Sequence, residues 1–176
     1  MKTRKGNKVY PLTNAQKLHF YCLKYCPKKQ VLNIGASLTI QVDLDREMLK
    51  KSIEEAISRC EAMRLRFAED KEGNTWQYVV KQDDSFVEHF DFTGWTMEAA
   101  QKKMEEWTET PFPRFDSPMH HIVMIKLPDG FQGIYIAVDH MTMDAQSLIV
   151  FFRDVIELYC HKLYPDEVSY PKEMSS

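Results

Sequence analysis

Residues 121–162 carry the strongest constraint on the fold: two apolar strand runs, a short polar loop, then a long helix with one apolar face. His121-Ile122-Val123-Met124-Ile125-Lys126-Leu127 and Gly133-Ile134-Tyr135-Ile136-Ala137-Val138 are joined through Pro128-Asp129-Gly130, which has turn chemistry. The second run lacks polar alternation, as expected of a largely buried strand. The helix, from about Ala145 to Lys162, places Leu148, Phe151, Phe152, Val155, Leu158 and Tyr159 on its inward face.

The rest of the chain mixes both periodicities. Thr13 with Gln16 reads as a capping box opening a helix to about Lys24, before Pro27. Leu38, Ile40 and Val42 alternate with polar residues as in a half-buried strand. Asp45 caps a second helix with Leu49, Ile53, Ala56, Ile57, Cys60 and Met63 on one stripe. Leu65-Arg66-Phe67 and Trp76 to Val80 flank a hairpin turn, and Val87 to Phe92 suggests another strand. Thr96 caps a third helix, from Met97 to Thr108, ended by Pro111 and Pro113. Strands and helices do not alternate strictly, which predicts an α+β fold, a mixed α/β sandwich, over a doubly wound one.

The 176 residues suit one domain spanning 1–176, with a flexible start (1–9) and a tail or linker at 166–176. A net charge of −3 argues against general nucleic-acid binding, which needs a basic surface. No apolar run approaches the ~20 residues that span a bilayer, so no membrane partner is expected. Four scattered cysteines (22, 26, 60, 160) suit a reduced, cytoplasmic chain.

His140 ends the second buried run, and Asp144 follows four residues later, at the start of the last helix. An imidazole at a strand terminus, with a carboxylate returning from the next turn, suits proton transfer to or from a bound substrate. The bland alternative is a hydrogen-bonded structural histidine.

Three segments in order resemble the condensation domains of nonribosomal peptide synthetases. Thr13-Asn14-Ala15-Gln16-Lys17-Leu18-His19-Phe20 is similar to the family's S-x-A-Q-x-x-x-W, and Arg59 to Phe67 is similar to R-H-E-x-L-R-T-x-F. Asp139 to Asp144 resembles H-H-x-x-x-D-G, keeping the second His and the Asp. The resemblance implies one lobe of the chloramphenicol-acetyltransferase-like fold, a mixed sheet flanked by about four helices. It implies an acyltransferase that forms an amide or ester from carrier-bound thioesters. His140 would act on the acceptor, as base or as hydrogen-bonding anchor. Asp144 would pair with Arg59, or less readily Arg64, while Asp139, Ala145 and Ser147 line the site. No tightly bound cofactor or metal is implied, only phosphopantetheine-linked acyl groups or acyl-coenzyme A. Carrier proteins and a second lobe, or further copies of the chain, would complete the site. Two readings compete: a single-lobe oligomeric acetyltransferase using acetyl-coenzyme A, and a non-catalytic module that docks carriers.

Two departures bear on activity. Asp139 stands for the motif's first His, where strand alternation turns it away from His140. Ala145 stands for the Gly, which is harmless if its φ is negative. Elsewhere, His19, Cys22 and Cys26 share a helical face without a fourth ligand, more like core packing than zinc. The tandem His120-His121 alternates across its strand, one ring inward and one outward.

Overall fold

The structure, a computed structural model, describes residues 3–172. Four helices begin where the sequence supplies a cap. Helix α1 (Asn14–Tyr25) opens on the capping box: Thr13 Oγ1 accepts the Gln16 N–H at 3.2 Å, and Gln16 Oε1 accepts the Thr13 N–H at 2.9 Å. Asp45 accepts the Met48 N–H at 2.8 Å to start α2 (Arg46–Arg59), and Thr96 accepts the Ala99 N–H at 3.1 Å to start α3 (Met97–Glu109). Asp144 starts α4 (Ala145–Leu163). Each cap satisfies an N–H that the helix itself leaves open.

Nine strands complete the described chain. β1 (Thr3–Arg4) and β2 (Asn7–Lys8) form a short ribbon; β3 (Tyr10–Pro11) begins a three-stranded sheet. β4 (Asn33–Ile40) belongs to the main sheet, while β5 (Leu65–Glu69) and β6 (Thr75–Val79) form the expected hairpin beside β3. β7 (Glu88–Asp91), β8 (His120–Lys126) and β9 (Gln132–Asp139) join β4 in the order β4-β9-β8-β7. β9 runs antiparallel to both neighbours, whereas β7 runs parallel to β8, so the sheet is mixed.

Alternation along β9 divides the core. Ile134, Ile136 and Val138 meet Ile53 and Ala56 of α2 and Phe151, Val155 and Leu158 of α4. Tyr135 and Ala137 face the other way, toward Ala100 of α3 and Phe92. Helices therefore cover both faces, which explains a strand with no exposed position. Close contact of α3 depends on Gly35: a Cβ there would come within 2.1 Å of Thr108 Oγ1, which hydrogen-bonds the Tyr135 hydroxyl at 2.7 Å. A third cluster (Leu12, Leu23, Phe67, Met119, Met141) joins α1 to the smaller sheet.

The α+β class and the four helices agree with the sequence reading; two details differ. β4 starts at Asn33, because residues 33–37 pair with residues 135–139 and so extend the ladder to the end of β9. Ile40 and Val42, expected to face inward, are exposed, and Val42 lies beyond the strand. Within the segments expected to be flexible start and tail, Arg4 pairs with Asp116, and the Tyr170 hydroxyl donates to Glu55 at 2.6 Å. Residues 1–2 and 173–176 lie outside the described residues.

Candidate active site

The segment after β9 is held by its own polar groups and by two methionines. The His140 N–H donates to Leu32 O at 2.9 Å, extending the β4–β9 ladder by one residue. The chain then turns. Asp139 Oδ1 accepts the Met141 N–H at 2.8 Å, and Asp139 O accepts the Thr142 N–H and Oγ1–H, both at 2.9 Å. Met141 is buried in the α1 cluster and Met143 in the main core. His140 and Thr142, alternating with them, stay partly exposed. Gln16 Nε2 donates to Met141 O at 3.2 Å, tying the loop to α1. One glutamine thus serves both a helix cap and the loop bearing His140.

No group among the described residues hydrogen-bonds the His140 ring. Its neighbour is the His19 ring of α1, with centroids 4.9 Å apart and planes tilted by 53°. Sequence reasoning weighs His19 only as a zinc ligand; its place in the α1 segment that resembles the family pattern is the signal that could link it to the site. Among the described residues no three His, Cys, Asp or Glu side chains gather as a metal site, and Cys22 and Cys26 are free thiols.

Asp139 is buried, in contrast to His140. Burial pushes its carboxyl above the ordinary range, against the Met141 N–H and the positive potential of Arg114, His19 and His140. Its visible work is to shape the turn. Ala145, the first residue of α4, is not among the positive-φ residues, so no glycine is needed there.

Asp144 does not pair with Arg59. Its carboxylate caps α4, accepting the Ser147 N–H at 2.8 Å and the Ser147 hydroxyl at 2.6 Å, and these bonds hold its pKa below the usual carboxylate value. Ser147 is thus a partner of the cap. Arg59 instead grips Asp154 with two 3.0 Å bonds and donates to the Pro171 and Lys172 carbonyls. Arg64 donates to Val80 O at 2.7 Å. The reason is local: open N–H groups at a helix start lie within reach of Asp144, whereas Arg59, ending α2, meets α4 beyond its second turn. Asp154 shares the buried stripe of Phe151, Val155 and Leu158 and is only 3% exposed. An acid on an apolar stripe needs a partner, and that signal was legible.

Arg59→Ala should therefore cost about 3 kcal/mol, the low end for breaking a buried pair, because burial already favours a proton on Asp154. Asp144→Ala should cost about 1 kcal/mol, the worth of an N-cap. Urea unfolding at pH 7 separates them; equal losses would contradict these partner assignments.

Residues 6–174 match the model of the condensation domain family, and the chain belongs to that family. Among curated proteins it is similar to surfactin synthase subunit 1 of Bacillus subtilis (strain 168), 27% identical over 85% of this chain and 4% of that protein. Tyrocidine synthase 2 of Brevibacillus parabrevis is 21% identical over 94% of this chain and 4% of its own length. Among solved structures, the first condensation domain of the CDA synthetase superposes with TM-score 0.81 at 21% identity, covering 94% of this chain and 42% of that one. The starter condensation domain of rhizomide synthetase RzmA gives 0.81 at 17%, covering 94% and 40%. The chain thus spans about two fifths of the solved condensation-domain chains it matches. Among the described residues no helix is long and apolar enough to cross a membrane.

Proposed function

We propose that this chain is the motif-bearing lobe of a condensation-type acyltransferase that forms amide, or ester, bonds in nonribosomal peptide synthesis. One observation carries the reading: in a condensation-family chain, the motif imidazole is partly exposed at the end of β9, with no hydrogen bond to its ring among the described residues. An acceptor amine attacks the carbonyl carbon of an acyl thioester. As the new C–N bond forms, a His140 ring nitrogen takes the amine proton. The C–S bond then breaks, and the proton passes to the departing phosphopantetheine thiolate. General-base help of this kind is worth ~10²–10⁴-fold.

The substrates are acyl groups borne on carrier proteins. A second lobe supplies the opposite wall of the site, since two reactants need both walls to be oriented. The share of each solved condensation chain that this lobe covers, 42% and 40%, supports that division. Four free cysteines fit a reduced, cytoplasmic setting. The family match and the synthetase relatives favour this reading over an oligomeric acetyltransferase or a docking module.

The test is a turnover assay. A protein joining this chain to a second condensation lobe receives a carrier-bound acyl donor and a carrier-bound aminoacyl acceptor. Mass spectrometry should find the amide on the acceptor carrier with both lobes present and none with this lobe alone. Acetyl transfer from acetyl-coenzyme A by the lone chain, as a stable oligomer, would overturn the proposal.

A further inference from the structure

A second site lies beyond Met119, whose carbonyl accepts the Asp139 N–H at 3.0 Å, and none of residues 139–147 lines it. A cleft of about 520 Å³ opens between the start of β8, residues 84–88 leading into β7, and the C-terminal end of α3. That volume falls in the range of small-molecule sites, roughly 300–1,000 Å³. Trp107 and Phe112 wall it, and Phe86 lies at it with 75% of its surface exposed.

Its polar groups are preassembled. The His120 side chain is 3% exposed, with Nε2 2.9 Å from Ser85 Oγ and 3.4 Å from Asp83 Oδ2. Ser85 Oγ–H donates to Asp83, which is also held by the buried Arg66. With the serine proton directed at Asp83, the proton on His120 belongs on Nε2. The other ring nitrogen, Nδ1, has no partner among the described residues. Serine and acid share one ring nitrogen, so the cluster is no relay for a nucleophile, in which the acid would sit on the other nitrogen. It fixes the ring in the cleft wall.

Charge then selects the ligand. Asp84 and Glu88 line the cleft, with side chains 77% and 45% exposed, and among the described residues no lysine or arginine lines it. Arg66, the nearby guanidinium, is occupied by Asp83 and Asp84, and Glu88 meets His121 at 3.1 Å. Both lining carboxylates keep acceptor capacity. Aromatic faces add cation–π attraction. We propose that this cleft binds a small organic ammonium ion with an aromatic or branched apolar body. The apolar part packs between Trp107 and Phe86, and the ammonium N–H groups donate to the Glu88 and Asp84 carboxylates.

Phenethylammonium, phenethyl alcohol and 3-phenylpropionate share a body and differ in charge. Each is titrated into the chain and followed by amide NMR shifts and tryptophan fluorescence. The proposal expects saturable ammonium binding, with shifts confined to residues 84–88 and 107–122. The alcohol should bind about fivefold or more weaker and the anion weaker still, since a partly desolvated charge pair of this kind is worth on the order of 1 kcal/mol. Glu88→Gln should cut ammonium affinity at least about threefold with an unchanged melting curve, and Trp107→Phe should retain binding. Equal affinity for all three probes, shifts outside the cleft, or no effect of Glu88→Gln would overturn it. These readouts do not depend on acyl transfer.

Discussion

Replacing His140 with alanine in a two-lobed protein should slow amide formation about 10²–10⁴-fold, while the melting temperature stays within about a degree or two. The split follows from how the loop is held. Asp139 closes the turn, Met141 and Met143 anchor it in two separate clusters, and Gln16 ties it to α1. None of these contacts uses the imidazole, whose ring packs against His19. Removing a partly exposed ring with no bonded partner among the described residues leaves no buried polar group stranded. His19→Phe keeps a ring at that contact and should leave turnover within about tenfold of wild type, because His19 has no place in the bond-making step. A His140→Ala variant with normal turnover would remove the proton-transfer role. One that melts far lower would make the residue structural.

Arg66→Met should cost about 3–5 kcal/mol, the expectation for a buried charge pair that loses one partner. Arg66 is 1% exposed in a strand and donates to the Met63 and Leu65 carbonyls as well as to Asp83 and Asp84. Burial alone would raise the Asp83 pKa; hydrogen bonds from His120, Ser85 and Arg66 outweigh it and hold the carboxyl well below its ordinary value of 3.8. A depressed acid stabilises the fold above its unfolded pKa and loses that contribution as pH falls toward its folded one. The gap between wild type and Arg66→Met should therefore be widest near neutrality and narrow below about pH 4. Urea unfolding at several pH values reads both features. A loss under about 1 kcal/mol at pH 7 would mean the cluster is not stabilising.

Much of this architecture was legible because it is local. Thr13, Asp45 and Thr96 announce helix starts through hydrogen bonds made within three residues. The apolar faces of α2 and α4 follow from helical spacing, and β9 from an unbroken apolar run. What stayed hidden is non-local. Parallel pairing of β7 with β8 depends on α3 carrying the chain across the sheet, and no turn signal encodes it. Arg66, Asp83 and His120 come from three separate segments and meet only in the folded chain. The expected Arg59–Asp144 pair shows a different failure. A motif resemblance was set above two local cues: a cap-forming acid three residues before Ser147, and a carboxylate at position 154 on an apolar stripe. Local chemistry won.

The decisive measurement is the position of an acceptor amine in a crystal structure of the assembled two-lobed domain, bound to a stable amide-linked analogue of donor and acceptor. The acyl-transfer reading predicts that nitrogen within about 3.2 Å of a His140 ring nitrogen, in an open passage between the lobes. An analogue seated elsewhere, with His140 turned into the protein and its ring nitrogens bonded to neighbouring residues, would contradict it.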